Sequence, residues 1–408
     1  MALLPVSEAQ NRLLDKAMPI EDVVELPLHE ANGRVLAAGL QARLTQPPFD
    51  ASAMDGYALR SADAADTGTV LDVIGSSAAG HAFDGAVGAG QAVRIFTGAP
   101  VPDGADTVLI QEDAEVLGAG RIRTGFIPLK GRHIRPRGQD FLEGETVLPA
   151  GSVMDYSRLT VAAAMNHAAI PVFRRPRIAI LATGDELVSP GTLPGPAQII
   201  ASNSFGIAAL VRDAGAEVID LGIVPDSTAA IAAAVERARA ARPEVIVTLG
   251  GASVGDHDLV QATLTASGMV LDFWKIAMRP GKPLMVGSLD GIHVVGLPGN
   301  PVSSMVCGLL FLEPLVRKLA HLPPSSRAAT ALCGRTLAAN DQRQDYLRAT
   351  LSRNHDGNWV ATSYGKQDSS LMKNFAISDC LIIRPPHAPE LAEGAPCPIM
   401  LLRPYPEA

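Results

Sequence analysis

Four apolar runs in the second half of the chain each end in a polar loop. Runs and loops have the sequences IAILATGDEL (178–187), EVIDLGIVPDS (217–227), VIVTLGGASVGDHD (245–258) and IHVVGLPGNPVSS (292–304). The first three are followed by stretches with helical patterning, and the fourth by PVSSMVCGLLFLEPLV. Repeated strand, loop and helix is typical of a parallel α/β sheet. Ligands bind at the carboxyl ends of such strands, which is where each loop falls.

The rest of the chain has different patterning. Residues 7–17 have helical spacing, with Ser7 as the expected N-cap and Gln10 completing a capping box. A Pro-rich break at 45–60 precedes short alternating strands up to about residue 140, which indicate a β-rich insert. We therefore expect a multidomain α/β protein. Its predicted parts are a mixed N-terminal domain (1–45 and 141–175), a β-rich insert (46–140), a parallel α/β domain (176–328) and a small C-terminal β domain (329–408).

Composition narrows the class of protein. The 408 residues are 47% hydrophobic and 19% charged, as expected for a folded globular chain. The net charge of −8 argues against nucleic-acid binding, which normally requires a basic face. Four cysteines without CxxC spacing fit a reducing cytoplasm. Because the sequence has neither an N-terminal signal nor 18 consecutive apolar residues, we expect no membrane span.

Carboxylates recur in the strand-end loops. Asp185 and Glu186 follow the first strand, Asp226 the second, and Asp256 and Asp258 the third. The carboxyl ends of parallel strands meet at one edge, so these side chains should lie close together. A capped turn with solvated carboxylates would explain any one loop. Their repetition favours a divalent cation bound through oxygen ligands.

The loop GGASVGDHD has the residues of an anion site. Paired glycines permit unusual φ angles, and successive backbone N–H groups can then form an anion nest. The residues expected to contribute are Gly250, Gly251, Ser253 and Gly255. An anion site flanked by carboxylates makes sense only with a metal ion between them, so we predict Asp258, with Asp256 as a further candidate, as Mg²⁺ ligands. The alternative is a tight Asp-rich turn.

A basic segment, WKIAMRPGKP (274–283), precedes the fourth loop. Lys275, Arg279 and Lys282 put three cations into eight residues, and they repel one another unless an anion or acidic neighbours offset them. A solvated charged face is the common explanation. The position of the segment just before a strand-end loop favours an oxyanion site.

The fourth loop, LPGNPVSS, allows two interpretations. Asn300 can cap a helix whose first residue is Pro301, which is an ordinary helix start. The unsatisfied N–H groups at such a start could equally hold a phosphate. The residues do not decide between the two.

Taken together, these motifs resemble the MoeA-type molybdopterin molybdenumtransferase family, whose fold is also that of the gephyrin E domain. The N-terminal half carries PLHEANGRVLA (27–37), PPFDASAMDGYA (47–58) and IFTGAPVPDGADTVLIQED (95–113). The α/β part carries TGDEL, AQIIASNS (197–204), GGASVGDHD, RPGKP and GLPGNPVSS, and the C-terminal part carries RQDYLRA (343–349) and GKQDSSL (365–371). The match covers essentially the whole chain in the same order.

The resemblance implies an assembly and a reaction. The expected assembly is an elongated homodimer of four-domain subunits, with an active site between the α/β domain of one subunit and the lid and C-terminal domains of the other. The expected reaction inserts molybdate into the dithiolene of adenylylated molybdopterin and releases AMP, with Mg²⁺ as the cofactor. Molybdopterin adenylyltransferase and acceptor molybdoenzymes are the expected protein partners.

The resemblance also implies roles for single residues. Asp55 and Thr97 match lid-side active-site positions, and Lys275 and Arg279 match a basic pair for molybdate or the pterin phosphate. Glu186, Asp226 and Asp258 match the acidic positions that hold metal and substrate. The other predicted binding positions, from residues and resemblance together, are Gly184, Ser202, Asn203, Gly250, Gly251, Ser253, Gly255, Lys282, Pro298, Gly299, Asn300 and Ser369, with Arg348 as a further candidate.

The chain departs from the family pattern at four positions. Arg279 stands where Lys is frequent, which keeps the charge but changes the geometry. The other departures are Ala201 in place of Asp, Ser227 in place of a second acidic residue, and Asp368 in place of Gly. They affect the expected metal shell and the C-terminal contact.

Other functions remain as alternatives. One is a molybdopterin-binding scaffold without turnover, which the complete set of acidic and basic rim residues disfavours. Another is a relative of the adenylyltransferase, which typically carries GGTG and a following Arg-Asp that GGASVGDHD lacks. A dinucleotide oxidoreductase is disfavoured because the sequence has no GxGxxG.

Overall fold

The computed structural model describes residues 3–251 and 259–403. The chain divides into two compact units, Val24–Val172 and Met1–Val23 with Phe173–Ala408. The helices of the described residues are α1 (Val6–Asp15), α2 (Tyr156–Ala164), α3 (Asn203–Asp213), α4 (Thr228–Ala240), α5 (Leu259–Ala266), α6 (Pro301–Cys307), α7 (Glu313–Leu319) and α8 (Met372–Ala376).

The unit Val24–Val172 is rich in short strands, as the sequence predicts. The strands are β1 (Val23–Pro27), β2 (Leu40–Gln41), β3 (Ala51–Ser52), β4 (Gly56–Leu59), β5 (Val70–Ser77), β6 (Gln91–Ile95), β7 (Thr107–Ile110), β8 (Ala114–Gly118), β9 (Arg121–Thr124), β10 (Ile134–Arg135), β11 (Thr146–Leu148) and β12 (Ala169–Phe173). The main sheet has the order β7-β4-β6-β5-β9-β8, in which β5 and β6 are parallel and the other pairs antiparallel.

The second unit contains a large mixed sheet and a closed β-barrel. The strands are β13 (Arg177–Thr183), β14 (Leu187–Val188), β15 (Ile199–Ile200), β16 (Glu217–Val224), β17 (Val245–Leu249), β18 (Val270–Trp274), β19 (Met278–Arg279), β20 (Met285–Leu289), β21 (Ile292–Leu297), β22 (Ala328–Cys333), β23 (Gln344–Arg353), β24 (Trp359–Ser363), β25 (Cys380–Arg384) and β26 (Pro396–Leu401). The large sheet has the order β16-β13-β17-β21-β20-β18. The multidomain α/β fold class is confirmed, and the division into four domains stays a prediction.

Four strands of the large sheet are the predicted ones. β13 pairs in parallel with β16 and β17, and β17 pairs in parallel with β21. The parallel arrangement of these four strands is confirmed, and two strands that are not predicted, β20 and β18, join the sheet antiparallel. Asp290 and Gly291, both with positive φ, form a two-residue turn between β20 and β21. An Asp-Gly pair is a strong sequence signal for a β-hairpin. The fourth apolar run begins just after this pair and so does not include the hairpin.

Both faces of the sheet are covered by helices. Ile178 and Ile180 of β13 pack with α1, α3, α6 and α7, whereas Ala179 and Leu181 face α4 and α5. Strands buried on both faces have continuous apolar sequences instead of alternating ones. This explains why β13, β17 and β21 appear as nearly uninterrupted apolar runs, whereas the edge strand β16 is mostly exposed or half-buried.

Glycines allow α3 to pack closely against α6 and the residue that follows it. A Cβ on Gly206 of α3 would lie 2.8 Å from the sulfur of Met305, and one on Gly308 would lie 2.8 Å from Ile207. A side chain at Gly206 would require Met305 to move, and one at Gly308 would require Ile207 and Leu210 to move. The two helices begin at Asn203 and Pro301.

The N-terminal helix begins before the predicted cap. Pro5 occupies the N-cap of α1 and no side chain caps the helix, so Ser7 lies inside it. Gln10 does not complete a capping box, because its side chain donates to the carbonyl of Leu310, 2.8 Å away. This part of the prediction is wrong, because the helix already begins at Val6 and the Gln10 side chain is directed to a distant carbonyl.

The C-terminal strands close into a barrel. β23 pairs with β24 and β25, and the circuit continues through β22 and β26. β19, which lies within the basic segment, pairs in parallel with β23. The barrel is therefore attached to the α/β part through Met278 and Arg279.

Candidate functional site

A cavity of about 1010 Å³ opens at the carboxyl ends of the parallel strands. Its wall includes Glu186 after β13, Asp226 after β16, Gly250 and Gly251 after β17, and 298–300 after β21. Ser202 and Asn203 at the start of α3 also line it. The prediction that the strand-end loops meet at one rim is confirmed.

Three carboxylates meet at this rim. The backbone N–H of Asp226 donates to Asp185, with 3.0 Å between Asp226 N and Asp185 Oδ1. Burial, followed by the negative charges of Asp185 and Glu186, raises the pKa of Asp226 above its usual range. No ion pair joins these three side chains to a cation in the described chain. The rim is thus a region of unbalanced negative charge.

Gly184 allows the carboxylate of Glu186 to fold back over the chain. Gly184 has φ +153°, and a Cβ there would lie 2.5 Å from Glu186 Oε2. Any other residue would displace this carboxylate. The glycine of TGDEL therefore positions an acidic side chain, although it does not itself belong to the described cavity wall.

The donor set fits a hard divalent cation in part. Carboxylate oxygens are the ligands Mg²⁺ prefers, and a cation would offset the negative charges that, after burial, raise the pKa of Asp226. Of the predicted residues, Ser253, Gly255, Asp256 and Asp258 lie outside the described residues. Among 3–251 and 259–403, no group of three or more His, Cys, Asp or Glu could hold a metal ion. Glu186 and Asp226 can therefore supply only part of a ligand set.

The floor of the cavity is bare backbone. Gly250 has φ +97°, and a Cβ there would lie 2.8 Å from the carbonyl oxygen of Thr183. A Cβ on Gly299 would lie 3.8 Å from the Cα of Gly250, so the two loops almost touch. A ligand can approach peptide groups here without meeting a side chain.

The start of α6 joins three parts of the chain. Asn203 Nδ2 donates to the carbonyl of Gly299 at 2.8 Å, and Asn300 Nδ2 donates to Ser369 Oγ at 3.0 Å. The backbone N–H of Val302 donates to the carbonyl of Ser369 at 3.1 Å. Asn300 is at the N-cap position but its side chain makes no capping hydrogen bond. Side-chain capping therefore does not account for LPGNPVSS.

A buried arginine supports the C-terminal loop beside the cavity. Arg348 is 1% exposed, and burial lowers its pKa. Its Nη1 donates to the carbonyls of Asp368 (2.8 Å) and Leu371 (3.3 Å), and its Nε donates to Gln367 Oε1 at 3.1 Å. This loop supplies Ser370, and just beyond it Met372, to the cavity wall. Arg348 thus acts on the site through the loop.

The three cations of the basic segment have different surroundings. Arg279 is ion-paired with Asp345 and, at 3.3 Å, with Asp341, and Asp345 is the main cause of its raised pKa. Lys275 Nζ lies 4.4 Å from the ring centroid of Trp274. Lys282 is exposed and precedes Pro283, which lines the cavity. Of the three cations, Arg279 has its charge offset by acidic neighbours.

Asp55 and Thr97 come together in the unit Val24–Val172. The backbone N–H and the hydroxyl of Thr97 donate to Asp55 Oδ1 at 2.7 and 2.8 Å. These two hydrogen bonds lower the pKa of Asp55, so its carboxylate stays charged at neutral pH. The two positions implied by the resemblance therefore form one local arrangement.

Three family models match successive parts of the chain. They are the MoeA N-terminal region (domain I and II) at 4–166, the probable molybdopterin binding domain at 179–318 and the MoeA C-terminal region (domain IV) at 330–402. The molybdopterin molybdenumtransferase of Haemophilus influenzae is 35% identical over 93% of this chain and 94% of its own length. The chain belongs to the molybdopterin molybdenumtransferase family. Family membership makes it a transferase of molybdenum cofactor biosynthesis and confirms the resemblance.

Other members agree in sequence and fold. Molybdopterin molybdenumtransferase 2 of Mycobacterium tuberculosis is 36% identical over 95% of this chain and 97% of its own length. Two structures of the MoeA protein of Pyrococcus horikoshii superpose with TM-scores of 0.84 and 0.81, at 27% and 26% identity. They cover 99% and 98% of this chain and all of theirs. Within the described part of the chain, no helix is long and apolar enough to cross a membrane.

Two departures from the family pattern have a structural explanation. Ser227 is the N-cap of α4, and its hydroxyl accepts from the backbone N–H of Ala230 at 3.2 Å. Asp368 accepts from the backbone N–H and hydroxyl of Ser370, at 2.8 and 2.6 Å. Ala201 lines the cavity without a polar group, so it cannot supply the oxygen ligand that Asp would.

Several wall residues escape prediction from sequence. The fold places them in the cavity wall, but their residue types alone do not indicate binding or catalysis. All of them except Met372 stand inside a motif quoted above, where carboxylates, glycines or Asn300 were the residues considered instead. The missed residues include Thr183, Ile199, Ile200, Ser303, Ser370 and Met372.

Proposed function

We propose that the protein inserts molybdate into the dithiolene of adenylylated molybdopterin and releases AMP, with Mg²⁺ as its cofactor. The main support is the cavity at the strand ends, where Glu186 and Asp226 meet the Gly250 and Gly299 backbone. At about 1010 Å³ the cavity can accept a ligand of nucleotide size. Phosphates need donors and a cation beside them, and this rim combines bare backbone with unbalanced carboxylates.

Glu186 and Asp226, together with Asp258, would hold the metal ion. When bound, Mg²⁺ polarises the phosphoanhydride and stabilises the leaving phosphate. Because the pKa of Asp226 is raised, a proton competes with the cation at this carboxylate more than at an ordinary aspartate. Gly184 keeps Glu186 folded back on the same rim.

Further residues would fix the walls and supply charge. Asn203 and Asn300 use their amides to hold Gly299 and Ser369, and so keep the loops in place. Lys275 and Lys282 would attract the molybdate dianion. We leave Arg279 out of this role because Asp341 and Asp345 already offset its charge.

Four further points rest on the family resemblance. Asp55 and Thr97 would serve the same reaction, and the protein would act as a homodimer of four-domain subunits. Its location would be the cytoplasm. Molybdopterin adenylyltransferase, as the source of substrate, and acceptor molybdoenzymes would be its partners.

A turnover assay tests the proposal. Purified full-length protein is incubated with adenylylated molybdopterin, molybdate and Mg²⁺, and AMP release is followed together with reconstitution of a molybdoenzyme apoprotein. We expect AMP release that requires both molybdate and Mg²⁺. Omission of molybdate and chelation of Mg²⁺ are the controls.

Two other outcomes would favour the alternatives. Tight binding of molybdopterin without any AMP release would indicate a scaffold. Formation of adenylylated molybdopterin and pyrophosphate from ATP would indicate an adenylyltransferase-like enzyme. Either result would contradict the transferase proposed here.

A further inference from the structure

The hydroxyl of Thr183 is a buried polar group in the cavity wall that has no hydrogen-bond partner within the described chain. Thr183 ends β13 and is 5% exposed. Ala179 and Leu181 of this strand face α4 and α5, and the alternation of side chains puts Thr183 on the same face. Valine has nearly the same shape and would leave no polar group unpaired there. The hydroxyl is therefore better explained by a ligand than by packing.

Thr183 lies against the glycine floor of the cavity. A Cβ on Gly250 would lie 2.8 Å from the carbonyl oxygen of Thr183 and 3.2 Å from its hydroxyl oxygen. Glycine at position 250 therefore leaves a carbonyl and a hydroxyl of Thr183 side by side under the floor. The carbonyl oxygen accepts hydrogen bonds, and the hydroxyl both donates and accepts. A ligand hydroxyl, which can do both, suits this pair better than an ionised phosphate oxygen, which only accepts.

The charge of the cavity wall also favours an uncharged partner. Glu186 and Asp226 line the cavity, and the described wall contains no Lys or Arg. The carboxylate of Glu186 folds back over Gly184, the residue that follows Thr183. An anionic group beside Thr183 would be repelled by these carboxylates, whereas an uncharged hydroxyl would not. The phosphates of the substrate would be drawn to the bound cation, which leaves an uncharged group for Thr183.

We propose that the hydroxyl of Thr183 forms a hydrogen bond with a ribose hydroxyl of the adenylylated substrate. This contact rests on the proposed function, because it presumes that the cavity binds that substrate. Ribose is the part of the adenylyl group that carries uncharged hydroxyls, on two neighbouring carbons. A buried hydroxyl without a partner costs free energy, which the ribose recovers on binding. Thr183 thereby distinguishes a ribonucleotide from a deoxynucleotide.

Thr248 provides a matched control. It lies in β17, which pairs with β13, is 0% exposed, and has a hydroxyl that is also buried without a partner in the described chain. It does not belong to the described wall of the cavity. Thr183→Val and Thr248→Val each replace an unpaired hydroxyl by a methyl group of similar size. Neither should lower the thermal midpoint of the ligand-free protein, because no hydrogen bond within the described chain is lost.

The test measures binding of AMP, 2′-deoxy-AMP and 3′-deoxy-AMP to the full-length protein by titration calorimetry. We expect Thr183→Val to weaken AMP binding roughly fivefold, the usual effect of losing one hydrogen bond between uncharged groups. The wild type should lose a similar factor with one of the two deoxynucleotides, and with that nucleotide Thr183→Val should cause no further loss. Thr183→Ser keeps the hydroxyl and should bind AMP nearly as the wild type does. Thr248→Val should bind all three nucleotides as the wild type does.

Each other outcome has a distinct meaning. Wild-type AMP affinity in Thr183→Val would overturn the ribose contact and leave the proposed function standing, because AMP release is measured separately. Equal losses with all three nucleotides would place the hydroxyl against the base or the phosphate, and equal losses in Thr183→Val and Thr248→Val would show a role in the sheet; both overturn the proposal. A lower thermal midpoint in Thr183→Val alone would show that the free protein already uses the hydroxyl, and would overturn it too. If the wild type neither binds nor releases AMP, the proposed function fails and the contact with it.

Discussion

The acidic rim and the basic segment differ in how their charges are offset. At the rim, Asp185, Glu186 and Asp226 lie together without an ion pair in the described chain, and the pKa of Asp226 rises. In the basic segment, Arg279 is paired with Asp341 and Asp345. A charge that is paired with an oppositely charged neighbour in the protein needs no ligand to explain its position. Charges left unbalanced in a cavity indicate a ligand that supplies the opposite charge.

The largest effect should follow from neutralising the rim. We expect Glu186→Gln and Asp226→Asn each to lower the rate of AMP release by roughly 100-fold, the size of one preorganised electrostatic contribution. The fold should persist, because neither carboxylate is ion-paired with a described residue. The thermal midpoint and the AMP-release rate are measured together. Asp213→Asn, an exposed carboxylate at the end of α3, is the control.

Wild-type rates in both rim variants would show that these carboxylates do not hold the metal or the substrate. Unfolding of the variants would show instead that the rim stabilises the fold. Either finding would remove the functional difference between the two charged regions.

The next largest effect should be on stability, in the basic segment. Arg279→Met leaves Asp345, which is only 4% exposed, without its principal cation. We expect a loss of about 2 kcal/mol in the free energy of unfolding, less than for a fully buried pair because the Arg279 side chain is 46% exposed. The double variant Arg279→Met with Asp345→Asn should recover most of it. Urea unfolding measures both, with Lys275→Met as the control.

An opposite pattern would restore the role that the resemblance gives to Arg279. If Arg279→Met keeps its stability but loses turnover, this arginine serves the oxyanion after all. A loss of both would mean that one ion pair supports the fold and the site together.

The acidic rim is the part of the site that the sequence predicts best. Four apolar runs specify four strands, and the carboxyl ends of parallel strands must share an edge. Glu186 and Asp226 therefore lie close together because each directly follows its own strand in the sequence. The same logic places Gly250 and Asn300 on that edge, because each follows its strand directly.

The basic segment could not be interpreted in the same way. Whether Arg279 is free or paired depends on Asp341 and Asp345, more than 60 residues later, and on the pairing of β19 with β23. The hydrophobic periodicity of the sequence does not specify an ion-pair partner that far along the chain. Closure of the C-terminal barrel depends on another long-range pairing, that of β23 with β25. The cap at Ser7 failed for a related reason, since Leu310 draws the Gln10 side chain away.

A smaller effect is expected at the C-terminal loop beside the cavity. Arg348→Met removes the donors that hold the carbonyls of Asp368 and Leu371. We expect the KM for adenylylated molybdopterin to rise roughly tenfold with a smaller change in kcat, because the loop loses its position while the rim stays intact. Amide hydrogen exchange over 364–372 should accelerate. Arg353→Met, an exposed change on the same strand, is the control.

Unchanged exchange together with a large loss of kcat would contradict this positioning role. It would mean that Arg348 contacts the reacting group itself. In that case a buried cation would join the carboxylates as part of the chemistry.

The smallest effect is a change in the pH dependence of stability. Since the folded protein raises the pKa of Asp226, its ionised form is less favourable in the folded than in the unfolded chain. The wild type should therefore lose stability as the pH rises from the ordinary aspartate value through the raised one. Asp226→Asn avoids this loss, so its thermal midpoint should exceed that of the wild type by about 1 °C at neutral pH, a small shift because the carboxylate is exposed. The difference should vanish in acid.

Mg²⁺ should reverse the sign of this difference. A cation bound at the rim stabilises the folded wild type by mass action and leaves Asp226→Asn less affected, since that variant lacks one of the proposed ligands. Thermal midpoints of both proteins at neutral pH, with Mg²⁺ and then with a chelator, measure the reversal without any turnover. If Mg²⁺ raises both midpoints equally, the unbalanced charge of the rim does not bind the metal through Asp226, and the negative rim must attract its ligand by other groups.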